Sequence, residues 1–181
     1  RISDAYEQMP NDPQNPVVAE AYQNLINQTK AQYQALVDAG YEFYFIDENN
    51  GADYLSTPFN SVRELRQDQR MGVYSTEAGF GSDVSAGDTA NNPMLADTGL
   101  VWLDVDGNPK RVLANDLFRA VHDAFGHSLE GAGFRARGEE NAWQAHVRLF
   151  TGSAVAAMTS ETRGQNSWLH FGPFGESNTG A

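Results

Sequence analysis

The sequence predicts an α+β fold, a helical core packed on a small antiparallel sheet, within a single domain spanning residues 1–181. Three observations lead there. Side chains recur at steps of three and four from Val18 to Leu36, the period of a helix face. Two further helical stretches, near 115–126 and 138–158, hold most of the residues able to do chemistry. Between the first of these helices and residue 115 lie an aromatic run at Tyr41–Ile46 and a hairpin pattern at 100–113, both strand signals.

The elements follow in order. Residues 1–16, with Pro10, Pro13 and Pro16 among Asn and Asp, read as an extended arm. Asn15 is a good helix cap, and Pro16 at the first helical position lacks an N–H that would go unbonded there anyway. The stripe Val18, Tyr22, Leu25, Thr29, Tyr33, Leu36 then runs to a stop near Gly40. Tyr41–Ile46 follows as a strand closed by the Asn49-Asn50-Gly51 turn. Ser61–Arg70 reads as a short helix and Met71–Ser75 as a second strand. Residues 77–98, rich in Gly, Ser, Asp and Asn, form a long loop expected to cover a pocket. Leu100–Val105 and Arg111–Leu113 make the hairpin around Asp106-Gly107-Asn108. One helix begins at the cap Asn115 and runs to Gly126; another runs from Gly138 to Met158. The aromatic stretch through Phe171 folds back on the domain, and residues 176–181 fray.

Composition narrows the function. The chain carries a formal charge of −12 and no cysteine, which excludes a disulfide framework and leaves any metal to nitrogen and oxygen ligands. No apolar run nears the ~18–20 residues of a membrane span, and no signal-peptide pattern opens the sequence. A phosphate backbone needs clustered Lys and Arg, so a general nucleic-acid role is disfavoured. The charge is uneven. Residues 1–110 hold 17 acidic and 6 basic side chains, whereas residues 111–163 balance six arginines against six acids. Arginine suits bidentate contact with an anion better than lysine.

All four histidines, 122, 127, 146 and 170, fall in the C-terminal third alongside Glu139, Glu140 and Glu161. Imidazole and carboxylate together are the ligands of iron, zinc and manganese. His122 and His127 are five apart, about 140° around an ideal α-helix, so a straight helix would not aim both at one ion. Gly126 is expected to end the helix and turn His127 back toward His122. Asp123 and His127, four apart, share one helix face. Glu139 and His146 lie two turns apart, ~10.5 Å along a helix axis, too far to bind one ion together. Glu139 reads either as a third ligand or as a group orienting a ligand histidine. His146, beside Trp143 and Phe150, reads as a ligand or as a hydrogen-bonded core histidine. Glu161, beside Arg163, reads as a ligand or as half of an ion pair.

The phrase His122-Asp123-Ala124-Phe125-Gly126-His127 resembles the iron-binding signature of the aromatic amino-acid hydroxylases. That resemblance implies His122 and His127 as two ligands and Glu161 as the third. It covers about forty residues and does not extend to that family's pterin or aromatic-substrate regions. A broader pattern spans Asn115–Arg119, Gly138–Trp143 and Thr162–Trp168. It resembles a domain of bacteriophage and mobile-element proteins, some of them very large polyvalent polypeptides. This implies a phage source and a place in infected cytoplasm or the virion, without implying a reaction.

The expectation is therefore a mononuclear metalloenzyme of the non-haem iron oxygenase or hydroxylase type, holding Fe(II), with zinc or manganese as alternatives. His122, His127 and Glu161 would hold the ion, and Glu139 and Asp123 would orient a ligand or act as base. Arg163, Arg119 and His146 would contact a small anionic substrate. The partners expected are that substrate and a second copy or a larger phage polypeptide. The rivals are a metal-dependent hydrolase on the same histidines and a non-catalytic virion or polyprotein module.

Overall fold

A computed structural model of the chain describes residues 1–47, 58–77, 91–129, 131 and 136–175. The Asn49-Asn50-Gly51 turn, most of the 77–98 loop and the 176–181 tail lie outside the described residues. The fold is α+β, as the sequence predicts.

The arm is not wholly extended. A short helix, α1 (Ile2–Glu7), precedes the prolines and is tied to the C-terminal helix by Ser3 Oγ donating to Phe171 O at 3.2 Å. The long helix α2 (Pro16–Asp38) starts as expected: Asn15 Oδ1 accepts from Val17 N at 3.0 Å, with Pro16 at the first position. Gly40 leaves it at φ +92°, a backbone state that favours glycine.

Strand β1 (Glu42–Ile46) leads to helix α3 (Pro58–Asp68) and strand β2 (Arg70–Tyr74). The aromatic strand pairs parallel to β2, from Glu42 opposite Arg70 to Ile46 opposite Tyr74, rather than joining an antiparallel sheet with the hairpin. The reason is the intervening helix, because a strand–helix–strand crossover brings the second strand back in the same direction. The hairpin itself is antiparallel: β3 (Asp97–Leu103) against β4 (Pro109–Leu113). Asp104 closes its turn by accepting from Asp106 N at 3.0 Å and Asn108 N at 2.8 Å, and Gly107 takes φ +82°. A single parallel bridge, Phe45 to Asp104, joins the two small sheets. Trp102 packs against Phe43, Phe45 and Tyr33, and its indole N–H donates to Tyr33 OH at 2.9 Å.

Helix α4 (Ala114–His122) begins one residue before Asn115. Asp116, fully buried, does the capping: its carboxylate accepts from Leu113 N at 2.9 Å and from Thr76 N at 2.6 Å. That bond pins the helix start to the end of β2. The predicted long helix over 138–158 is divided. Helix α5 (Ala136–His146) ends in a short 3₁₀ turn, Phe150 is extended, and Gly152 at φ +61° precedes helix α6 (Ala154–Thr159). A chain turned by a left-handed glycine cannot continue one helix axis. Helix α7 (Gln165–Phe171) is the last of the described helices. Helix α2 lies against both α4 and α6, burying Leu25 with Phe118, Phe150 and Met158.

Candidate metal centre

Between α4 and α5 the backbone changes pitch. Residues Asp123–Ser128 form a π-helical segment, with Leu129 N bonding Ala124 O, five residues back, at 3.0 Å. In an α-helix His122 and His127 would diverge by about 140°. An i→i+5 hydrogen-bond pattern widens the turn and lets residues five apart share a face. Their ring centroids are 5.1 Å apart and the ring planes perpendicular. Gly126 has a different part from the one its position implies. It lies inside the π segment, where an added Cβ would meet Ala142 O at 3.0 Å, Ala142 Cβ at 3.2 Å and His122 Cε1 at 3.2 Å. The glycine thus lets α5 approach the histidines closely. Arg66, from α3, holds the end of the segment by donating to Ser128 O at 3.0 Å and Leu129 O at 3.2 Å.

The third group brought to the pair is Glu139, from the first turn and a half of α5. One ligand atom each from His122, His127 and Glu139 lies within 4.8 Å of the other two. His127 Nε2 stands 3.4 Å from Glu139 Oε2. Two ligands bound to one ion at ~2.1 Å each lie ~3.0–3.4 Å apart, so this separation suits shared coordination. Asn166, on α7, donates to the same Glu139 oxygen at 3.0 Å and fixes the carboxylate.

The decisive atom is His122 Nε2. His122 is 7% exposed, and this nitrogen is buried with no hydrogen-bond partner among the described residues. Its protonation follows from a chain of contacts. Gln32 Nε2 donates to Leu149 O at 3.2 Å, which orients the amide and leaves Oε1 to accept. His146 Nε2 lies 2.8 Å from Gln32 Oε1 and must therefore be the protonated nitrogen. Burial and the nearby His127 lower the His146 pKa to about 3, so this ring is neutral and its Nδ1 carries a lone pair. His122 Nδ1, 3.0 Å away, then carries the proton of the shared bond. The Nε2 of His122 is then left as a bare lone pair with no donor among the described residues. Burial, with His146 and His127 beside it, also holds the His122 pKa well below its ordinary value. An unmet buried acceptor is costly unless something electrophilic fills the gap. A cation does.

The other residues singled out by the sequence take different places. Glu161 is not in the cluster; it sits on a second π-helical segment (Ser160–Gly164) and accepts from Tyr22 OH at 2.5 Å. Arg163 does not pair with it either. Its Nε donates to Glu140 Oε2 at 2.8 Å, and its guanidinium lies 4.3 Å over the Trp143 ring. Arg119 donates to Tyr74 O at 2.9 Å, tying α4 to the end of β2. His146 is fully buried, in hydrogen-bond contact with His122, and has no surface for substrate. Asp123 flanks the pair; burial pushes its carboxyl up to about 6 against the opposing pull of His127 and Arg119. A cavity of about 660 Å³ reaches Glu139, with Arg137, Glu140, Arg163, Asn166 and His170 among its walls. Gln32 was the residue hidden from sequence reasoning. Its only signal is position: it lies three after Thr29 and four before Leu36, a polar side chain inside the apolar stripe.

Comparison with known protein families, with curated proteins and with solved structures gives no match for this chain. Among the described residues, no helix is long and apolar enough to cross a membrane.

Proposed function

We propose that the chain is a mononuclear metalloenzyme whose ion is held by His122, His127 and Glu139. Two observations carry this reading: His122, His127 and Glu139 each offer a ligand atom within 4.8 Å of the others, and the buried His122 Nε2 has no hydrogen-bond partner among the described residues. Two histidines and one carboxylate leave coordination positions open, the donor set of non-haem Fe(II) oxygenases, and we take Fe(II) as the ion. Bound there, iron would supply oxygen activation. The protein residues do the rest: Asn166 and the Gln32–His146 pair aim the ligands, and the neutral interior around His122 excludes water. The cavity that opens at Glu139 admits the substrate, and Arg137 and Arg163 on its wall favour a small anionic one. The resemblances noted in the sequence favour an origin in a phage or mobile element, with action in the infected cytoplasm or the virion.

A zinc hydrolase is the second reading, because a His₂Glu set also suits zinc and the raised carboxyl of Asp123 adjoins it. Anaerobic reconstitution with Fe(II), Co(II) and Zn(II), followed by elemental analysis, tests both. One ion per chain is expected for the wild type, and a loss of at least tenfold in affinity for His122→Ala, His127→Ala and Glu139→Gln. Oxygen-dependent turnover of the iron form separates the oxygenase from the hydrolase. Folded variants that bind metal as the wild type does would overturn the proposal and favour a packing module of a phage polypeptide.

A further inference from the structure

A second cavity of about 660 Å³ lies apart from the metal centre, between α1, the proline-rich 10–16 stretch, the start of α2 and α6. Tyr6, Met9, Pro10, Val18, Tyr22 and Pro93 give it a largely apolar, aromatic wall. Its charged lining groups are Asp12, on the exposed arm, and Glu161, and among the described residues no Lys or Arg lines it.

Glu161 is the unusual member. One oxygen accepts from Tyr22 OH at 2.5 Å, yet no basic side chain pairs with it among the described residues. The arginine two positions on, Arg163, turns to Glu140 instead. A half-buried carboxylate without a countercharge is costly, and a cation entering the cavity would offset that cost. Burial correspondingly pushes the Glu161 carboxyl above its usual range. Tyr22 stays a phenol that donates, since burial and the adjacent Glu161 push its own ionisation up.

The occupant follows from this chemistry. An anion would find no positive group. A divalent metal needs several converging ligands, and among the described residues this cavity brings no three His, Asp or Glu side chains together. We propose that this cavity binds a small organic ammonium, its nitrogen on the Glu161 carboxylate and its carbon stem among Tyr6, Tyr22 and Pro93. The volume is that of a small-molecule site. This site is independent of the metal centre.

Titration of the metal-loaded wild type with n-butylammonium chloride and with 1-butanol, followed by calorimetry, tests the idea. The two probes share a carbon stem and differ in the charged head. Saturable binding of the ammonium, at least tenfold tighter than the alcohol, is expected. Glu161→Gln should lose at least tenfold for the ammonium while keeping one metal ion per chain; Glu139→Gln should lose the metal and keep the ammonium. Equal affinity for the two probes, absence of saturable ammonium binding, or unchanged binding in folded Glu161→Gln overturns the proposal. The probe comparison uses the wild type alone and so stands even if a variant does not fold.

Discussion

The Nδ1 atoms of His122 and His146 lie 3.0 Å apart in the protein interior, and the proton between them belongs to His122. His146 is prevented from supplying it because its own proton is held at Nε2 by Gln32. The tautomer of His122, a candidate metal ligand, is thus set by a glutamine on another helix, about ninety residues earlier in the chain.

That relay makes Gln32 testable. Gln32→Leu removes the acceptor, frees His146 to rotate or change tautomer, and is expected to weaken metal binding by roughly 10–100-fold. Gln32→Glu keeps an acceptor at the same place and should bind within about tenfold of the wild type. Competition against a chromophoric chelator measures both, and an unaltered Gln32→Leu affinity would rule the relay out.

Gly126→Ala places a methyl group 3.0 Å from Ala142 O and 3.2 Å from His122 Cε1. Neither neighbour is the free end of a flexible chain. Overpacking of this kind costs about 1–3 kcal/mol. Urea unfolding of the metal-free protein should show that loss, and metal affinity should fall with it as His122 is displaced. A variant as stable as the wild type would mean that α5 gives way more easily than its packing implies.

The buried histidines tie stability to pH. Folded His122 and His146 have pKa values below their unfolded value of about 6.5, with His146 at about 3. A base with a depressed folded pKa contributes stability above the unfolded pKa. That contribution is lost as the pH falls, because the unfolded chain takes up protons the folded one refuses. Urea midpoints of the metal-free protein should therefore drop between pH 7 and pH 4 more steeply for the wild type than for His146→Gln. Parallel pH profiles would count against the assignment of both rings as neutral.

Asp116→Ala leaves two buried N–H groups, of Thr76 and Leu113, without an acceptor. Each bond to a charged acceptor is worth about 1.5–3 kcal/mol, so a loss of several kcal/mol in unfolding free energy is expected. Hydrogen exchange should report it locally, with the Thr76 and Leu113 amides losing protection first. Retained protection at both would show another acceptor in place.

The start of α2 was legible in the sequence because a cap and a proline act within three residues. The hairpin was legible too, because Asp104 bonds amides two and four positions ahead. What brings His122 and His127 together was harder to see. Side-chain pattern does not distinguish an i→i+4 turn from an i→i+5 turn, and Gly126 pointed to a helix end where the chain instead widens and continues.

Local hydrogen bonding and apolar period belong to the sequence by itself, since each is settled among neighbours a few residues apart. The α+β class, the capped long helix and the crowding of histidines into one third of the chain are of that kind. Tertiary packing alone decided that Glu139 rather than Glu161 meets the histidine pair, that Arg163 turns to Glu140, and that Gln32 orders the protons behind His122. The physical reason is distance along the chain: a carboxylate within 4.8 Å of two imidazoles depends on how α5 docks on the π segment, and that docking is a property of the whole core.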